Sequence, residues 1–446
     1  MGEPWPTLQW QPGYVYPPVF NPPHYHLGPL HALFFLAIAV GVGFLTYRRP
    51  ALGVGAMIVC LPFAEARYIF ETSITIPKAA FVGFVITLLI HRPSLRVLHT
   101  RTVGIVLAAF ACVLVTIALS GMAAEHHGQV VRELAKWTEY AVMFVTAAVA
   151  FDADPDDRPI WRSLVGIAIF ESVYGIAQLF IGAPSGVIVQ YHIWPRIAGS
   201  LEGPNQFAGW LNLIFLVLLA RLLLHRDPWL AVAVALSGAA TILTLSRSGI
   251  AAGIIGGILV VLLSRPPKRV GIRLAAGGLS LLVVLAGIGL MAGLEARFFS
   301  LAEIPMPNHL GTRAILWSSA VELWKQSPIV GIGAGNFELV LSRVGHHDVH
   351  THANSAYLQA LAETGILGLV AILFLTYESI APFVRRYSRR ALVIGVGAAN
   401  VAFALHQIFD YMWFYPKVGG VWCLLLGIGI VEVLGSRDDV GVLPQP

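Results

Sequence analysis

Two arginines, a run of histidines and a few carboxylates are the residues that offer chemistry. Arg247 stands in Ser246-Arg247-Ser248-Gly249, between two apolar stretches. A guanidinium at such a boundary is costly unless it snorkels, pairs or faces a hydrated cavity. Its planar fork also matches phosphate oxygens. The two readings are an interfacial anchor and an anion site. Arg313 opens the segment TRAILWSSAVELWKQ (312–326), four residues before Trp317. Alone it is a solvated surface arginine; together with Arg247 it makes a site for a diphosphate. Charge-assisted hydrogen bonds of about 1.5–3 kcal/mol each would hold such a group. They would also stabilise the charge growing on a pyrophosphate as it leaves. Arg196, in the unusual 182–205 connection, is a third diphosphate candidate, with Asn205 a secondary candidate at its end.

His346, His347, Asp348, His350 and His352 crowd into seven positions, followed by Asn354 and Ser355. An imidazole titrates near working pH and suits a general base. The same cluster suits zinc by ligand type, but an irregular loop does not make ligands converge. His352, Asn354 and His350 are therefore read as catalytic candidates, and no metal or other cofactor is expected. Lys136/Glu139 and His406/Asp410 lie three and four residues apart, so each pair shares a helix face. Glu171, Glu363 and Asp410 fall within apolar stretches, where ionisable groups are functional candidates; structural pairing inside a bundle is the equal alternative. Glu363 and Asp410 join Asn205 as secondary candidates.

The elements that must position these side chains are membrane helices. Of 446 residues, 57% are hydrophobic and 12% charged. Soluble domains carry roughly 25% charged residues, so a water-facing surface cannot be built from this inventory. A bilayer core needs roughly 20 apolar residues per helix. Candidate spans run at 27–47, 51–65, 74–91, 102–121, 133–151, 160–181, 206–224, 228–245, 249–264, 274–294, 354–376, 391–411 and 418–434. The second is short enough to be re-entrant. The expected class is an all-α polytopic membrane protein of about 12–13 transmembrane helices.

Arginine and lysine test the map. Arg48/Arg49, Arg92/Arg96/Arg101, Arg158/Arg162, Arg221/Arg226, Arg265/Lys268/Arg269/Arg273 and Arg385/Arg386/Arg389/Arg390 occupy every second connection. Positive-inside sorting puts those connections in the cytoplasm and the N-terminus outside. It also accounts for the net charge of +5 without a nucleic-acid surface. The resulting division is an extramembrane arm (1–26), helices 1–10 (27–294), a long periplasmic loop (295–353), C-terminal helices (354–434) and a cytoplasmic tail (435–446). The arm has no Lys or Arg before an apolar stretch, so it does not read as a signal peptide. Within the long loop, Ile315, Leu316, Ala320, Leu323 and Trp324 fall at helical spacing, as in an amphipathic helix at a membrane surface. Cys60, Cys112 and Cys423 all sit in apolar runs, and no disulfide is expected.

Several motifs occur in order between residues 195 and 415. They are Gly203-Pro204-Asn205-Gln206-Phe207-Ala208, Ser246-Arg247-Ser248-Gly249 and Arg313-Ala-Ile-Leu-Trp317. Next comes Ser327-Pro328-Ile329-Val330-Gly331-Ile332-Gly333 with Gly335-Asn336-Phe337. His352-Ala-Asn354-Ser355-Ala-Tyr357-Leu358-Gln359 then runs on to Glu363-Thr-Gly365-Ile-Leu-Gly368. In this the chain resembles the O-antigen ligase and polymerase superfamily of bacterial membrane glycosyltransferases. The resemblance implies a GT-C-like bundle in the inner membrane with its active site facing the periplasm. It implies a polyprenyl-diphosphate-linked glycan as donor and a hydroxyl of a growing polysaccharide or of lipid A–core as acceptor, in a metal-independent, inverting reaction. Arg247 and Arg313 fall where the family's diphosphate-binding arginines stand. The histidine position departs from the pattern. Ligases show His directly before Asn, Ser or Gln, then nine residues, then G-x-x-G. Here Ser355 and Gly365-Ile-Leu-Gly368 fit, while Asn354 replaces the histidine and His352 stands two positions earlier. The alternative from another class is a polytopic transporter or metal permease that uses the His-rich loop.

Overall fold

In a computed structural model the described residues are 28–63, 66–69, 72–181, 190–191, 194–225, 227–266, 310–346, 349 and 351–435. The apolar runs form helices because inside a bilayer each backbone N–H and C=O must bond within its own segment. In chain order they are α1 (Pro29–Arg48), α2 (Pro50–Cys60), α3 (Ile76–His91), α4 (Arg101–Ser120), α5 (His127–Ala153), α6 (Arg158–Ile181) and α7 (Pro204–Leu224). There follow α8 (Pro228–Leu243), α9 (Arg247–Ser264), α10 (Leu310–Gln326), α11 (Phe337–Val340), α12 (Ala356–Arg385), α13 (Ala391–Phe409) and α14 (Pro416–Gly435). Among the described residues, two short antiparallel hairpins, Ala66–Ile69 with Thr72–Thr75 and Gln190–Tyr191 with Trp194–Pro195, interrupt the run of helices.

Among the described residues, nine helices are long and apolar enough to cross a membrane, and α2, α3 and α8 are shorter apolar helices. These match twelve of the thirteen expected spans; the thirteenth, 274–294, lies outside the described residues, as do the arm (1–26) and most of the tail. The span expected at 51–65 is corrected to α2, which ends at Cys60 just before Leu61-Pro62. Eleven residues rise about 16 Å, roughly half of a hydrocarbon core.

Proline in the first turn starts α1, α2, α3, α7 and α8, where its missing N–H costs no bond. The side chains of Thr75, Asp227, Ser246 and Ser355 cap α3, α8, α9 and α12. The core centres on α7 and α14, which are enclosed almost all round, and on Trp210, Trp413 and Trp422, each fully buried. α7 packs on α8, α9 and α13, α14 on α5, and α12 on α4. Small residues permit the closest approaches: a Cβ on Gly83 of α3 would lie 1.9 Å from the Ala39 carbonyl of α1.

The connections sort into two ends. Arg49 of the 48–50 turn bonds Asp154 and Asp156, Arg221 pairs with Asp157, and Arg389 donates to the Ser264 carbonyl. These contacts gather the arginine-rich connections at one end. At the other, Ser200 reaches the Pro62 carbonyl, Lys417 reaches Ser200, and the Ala334 N–H donates to the Ser120 hydroxyl. Every described candidate site residue belongs to this second end.

Candidate functional site

The Arg247 turn is built by its neighbours. α8 closes at Thr244, Leu245 takes a left-handed conformation (φ +53°), and the Ser246 hydroxyl accepts the Gly249 N–H at 3.3 Å. This sets Arg247 in the first turn of α9, where a helix dipole favours an anion. Gly249 lets α9 approach α7, since a Cβ there would lie 2.6 Å from that of Ala208. Arg196 is 5% exposed and committed. Its Nε donates to the Thr244 carbonyl at 2.7 Å and its Nη2 to Asn205 Oδ1 at 2.9 Å. It thereby ties the start of α7 to the turn that carries Arg247.

The long loop brings Arg313. Leu316, Ala320 and Leu323 line the buried stripe of α10, as their spacing predicts, and pack with Ile332, Phe337, Leu341 and Ala362. Trp317 lies 6.0 Å, ring to ring, from Phe409 at the end of α13. Arg313 is partly buried. Burial pulls its pKa below the ordinary arginine value; Asp410's opposite charge works against that and Arg247's like charge works with it. The two arginines and Asp410 therefore share one electrostatic neighbourhood, although they are 66 and 97 residues apart in sequence (313 − 247; 410 − 313). Among the described residues neither Arg247 nor Arg313 is closed in an ion pair or hydrogen bond.

The segment between α10 and α12 is stitched into a break in α12. Gly365 has φ +67° and ψ −164°, which interrupts the helix. The freed groups find partners there: the Ile332 and Gly333 N–H groups donate to the Ala362 and Glu363 carbonyls at 3.0 and 2.9 Å. Ile366 N–H donates to the Pro328 carbonyl at 2.9 Å. Gly331 (φ +73°) and Gly365 face this crossing, and a Cβ on either would come within 2.2 Å of opposing backbone. Glu363, a secondary candidate, proves to be a clamp. Its Oε1 accepts the Phe337 N–H at 3.1 Å and Gln359 Nε2 at 2.9 Å, while Gln359 Oε1 accepts the Ala353 N–H at 2.7 Å. Ala353 is thus fixed between His352 and Asn354.

His352 is 6% exposed. Its Nδ1 accepts the N–H of Asn354, itself left-handed at φ +51°, at 3.1 Å. Its Nε2 lies 3.1 Å from the Tyr415 hydroxyl and 3.9 Å from Asp410 Oδ1. Tyr411, Phe414 and Tyr415 surround the ring at 5.4–6.0 Å between centroids. Asp410 Oδ1 accepts the Tyr411 N–H at 2.7 Å, and its backbone carbonyl accepts the Ala356 N–H at 3.1 Å. Its Oδ2 is buried without a hydrogen-bond partner among the described residues, as are both ring nitrogens of His406. Sequence reasoning missed Tyr415, Tyr411, Phe414 and Gln359. The signal was the density of aromatics in 410–415, directly after a candidate acid.

Of the candidates, Arg247, Arg313, His352, Asn354, Asp410, Arg196 and Asn205 all sit at one end, with Glu363 supporting the loop beneath them. His350 lies outside the described residues, together with His347 and Asp348. The expected Lys136/Glu139 pair is replaced: Lys136 Nζ bonds Glu133 at 2.7 Å and lies over the Tyr411 and Phe414 rings. Glu133 and Lys136 are three apart, which is as favourable a spacing as the one expected.

Residues 231–373 match the family model of the O-antigen ligases. The matched segment runs from α8 through the break in α12 and contains Arg247, Arg313, His352, Asn354 and Glu363. Arg196, Asn205 and Asp410 lie outside it and are joined to it by the contacts above. No curated protein matches the chain. The match supports a membrane enzyme of the glycan-transferring ligase or polymerase kind.

Proposed function

We propose that this protein transfers a glycan from a polyprenyl-diphosphate donor to an acceptor hydroxyl on a growing polysaccharide or lipid A–core, at the periplasmic face of the bacterial inner membrane. One observation carries the reading: Arg247 and Arg313 are partly buried and have no ion-pair partner among the described residues, and the charges of Arg247 and Asp410 both reach Arg313, with His352 beside Asp410. Two like charges held together without a closing carboxylate make a site for a multiply charged anion, and a diphosphate accepts both forks. In this reaction the donor's diphosphate lies on the two arginines, and its lipid tail runs between apolar helices. The acceptor oxygen attacks the anomeric carbon from the opposite side and inverts it. The acceptor's proton passes to a group beside the arginines, where Asp410, His352 and Asn354 converge; His350 is a further candidate in the same loop. The arginines neutralise the leaving diphosphate, so the step needs no metal. Arg196 and Asn205 serve by holding the Arg247 turn.

The test is transfer of lipid-linked glycan in membranes carrying R247A, R313A or the double variant. Each single variant is expected to lose transfer by about 10²–10³-fold while still inserting to wild-type levels. Full activity in both single variants would refute the assignment. Surface-polysaccharide gels of a deletion strain separate the two acceptors: unligated lipid-linked polymer indicates ligation, single repeats indicate polymerisation.

A further inference from the structure

A transferase of this kind needs a lone pair to receive the acceptor's proton, and the structure limits where that lone pair can be. His352 is the first choice by residue type, but its ring is engaged at both nitrogens. A neutral imidazole has one lone pair. Here Nδ1 spends it on the Asn354 N–H at 3.1 Å, so Nε2 carries the hydrogen. That N–H faces the Tyr415 hydroxyl at 3.1 Å and Asp410 Oδ1 at 3.9 Å. In this arrangement His352 is a donor, not a base. His406 has open nitrogens but sits one helical turn further into the bundle, against Gly209 of α7. Nearby carboxylates are engaged: Glu171 by Ser200, Glu363 by Phe337 and Gln359, Glu133 by Lys136, and Glu202 by Lys417.

Asp410 differs from all of these. The residue is 1% exposed, and one oxygen is held by the Tyr411 N–H while Oδ2 has no hydrogen-bond partner among the described residues. It lies in the electrostatic neighbourhood of Arg313, and His352 flanks its other oxygen. A buried carboxylate oxygen without a partner is costly unless something binds to it. We infer that Asp410 Oδ2 is the atom that receives the acceptor hydroxyl's proton, and that His352 is a positioning residue holding the carboxylate and Tyr415. This rests on the transferase reading proposed above. In the step, the acceptor oxygen forms a bond to the anomeric carbon as its O–H proton passes to Asp410 Oδ2. The bond from that carbon to the diphosphate oxygen breaks, and its electron pair leaves with the diphosphate on Arg247 and Arg313. The resulting carboxylic acid returns its proton to water. Asn354 thus occupies the family's histidine position without the base role moving to His352.

The experiment uses the full-length protein in nanodiscs, with lipid-linked glycan extracted from a strain lacking it as donor. Undecaprenyl diphosphate serves as the binding probe. D410N is expected to lower turnover by about 10²–10⁴-fold with probe affinity within about threefold of wild type. H352Q, which keeps a donor but no basic nitrogen, is expected to stay within about tenfold of wild type. Formate is expected to restore part of the turnover of D410A by supplying the missing carboxylate. The inference is overturned if D410N keeps more than about a tenth of the wild-type rate, or if H352Q is as inactive as D410N. Should D410N also lose probe binding, formate decides: rescue of D410A supports the inference and no rescue overturns it. The underlying reading fails separately, if wild type does not transfer the glycan or if the R247A/R313A double variant binds the probe as wild type does.

Discussion

The two ends of the bundle use arginine in opposite ways. At the arginine-rich end, several guanidinium groups are closed. Arg49 bridges Asp154 and Asp156 at 2.7 and 2.9 Å, Arg158 forks onto Asp156, Arg390 meets Glu432 at 3.1 Å, and Arg221 lies over Trp161. At the far end Arg343 pairs with Glu125, but Arg247 and Arg313, held by helix caps and packed tryptophan, have no closing partner among the described residues. The first arrangement anchors loops in water and changes little when disturbed. The second keeps charge waiting in a partly desolvated place, where electrostatic interactions are stronger. Residue type is shared; the proposed binding role of Arg247 and Arg313 rests on the absence of a carboxylate partner among the described residues together with their partial burial.

Substitutions break this contrast to different degrees. Removing Arg247 or Arg313 is the largest functional effect, a loss of transfer at unchanged protein level. Next are Gly331→Ala and Gly365→Ala, which force a side chain at positive φ against backbone 2.2 Å away. Strain alone costs about 1–3 kcal/mol, and the clash adds to it, so the thermal midpoint in detergent is expected to fall clearly. A normal midpoint in either variant would show that the crossing at the α12 break is not rigid. Glu363→Gln keeps the clamp's size but leaves a single acceptor oxygen for the Phe337 N–H and the Gln359 amide. It is expected to lower kcat by roughly tenfold through a looser His352-Ala353-Asn354 segment, with donor binding retained. If donor binding falls instead, the clamp serves the arginine side. Arg49→Lys, at the other end, is expected to leave transfer unchanged and the midpoint nearly so. A loss of transfer there would dissolve the contrast altogether.

Much of this organisation was legible beforehand. The helices follow from apolar length, and the stripe Leu316, Ala320, Leu323 was read from spacing alone. Arg247, Arg313 and Asp410 were candidates because a charge next to apolar sequence demands a reason. Other features were hidden. Nothing local says that Gly365 breaks α12, because the Pro328–Gly333 segment that occupies the break lies more than 30 residues earlier (365 − 333 = 32). The partners of Glu363 were hidden too, because burial in an apolar run does not show which distant N–H groups a carboxyl will accept. Lys136 chose Glu133 over Glu139, a choice that i,i+3 spacing leaves open in both directions.

Composition, periodicity and the placement of arginines were enough to determine a helical membrane bundle and which residue types are available at each of its ends. These properties depend on transfer free energies and helical repeat, which each segment possesses on its own. Only the tertiary structure decided which polar atoms are already satisfied. Arg196 is consumed by Thr244 and Asn205, His352 by Asn354 and Tyr415, and Glu363 by its clamp, while Asp410 Oδ2 is left open. Hydrogen-bond satisfaction depends on where distant segments meet, to within a few tenths of an ångström.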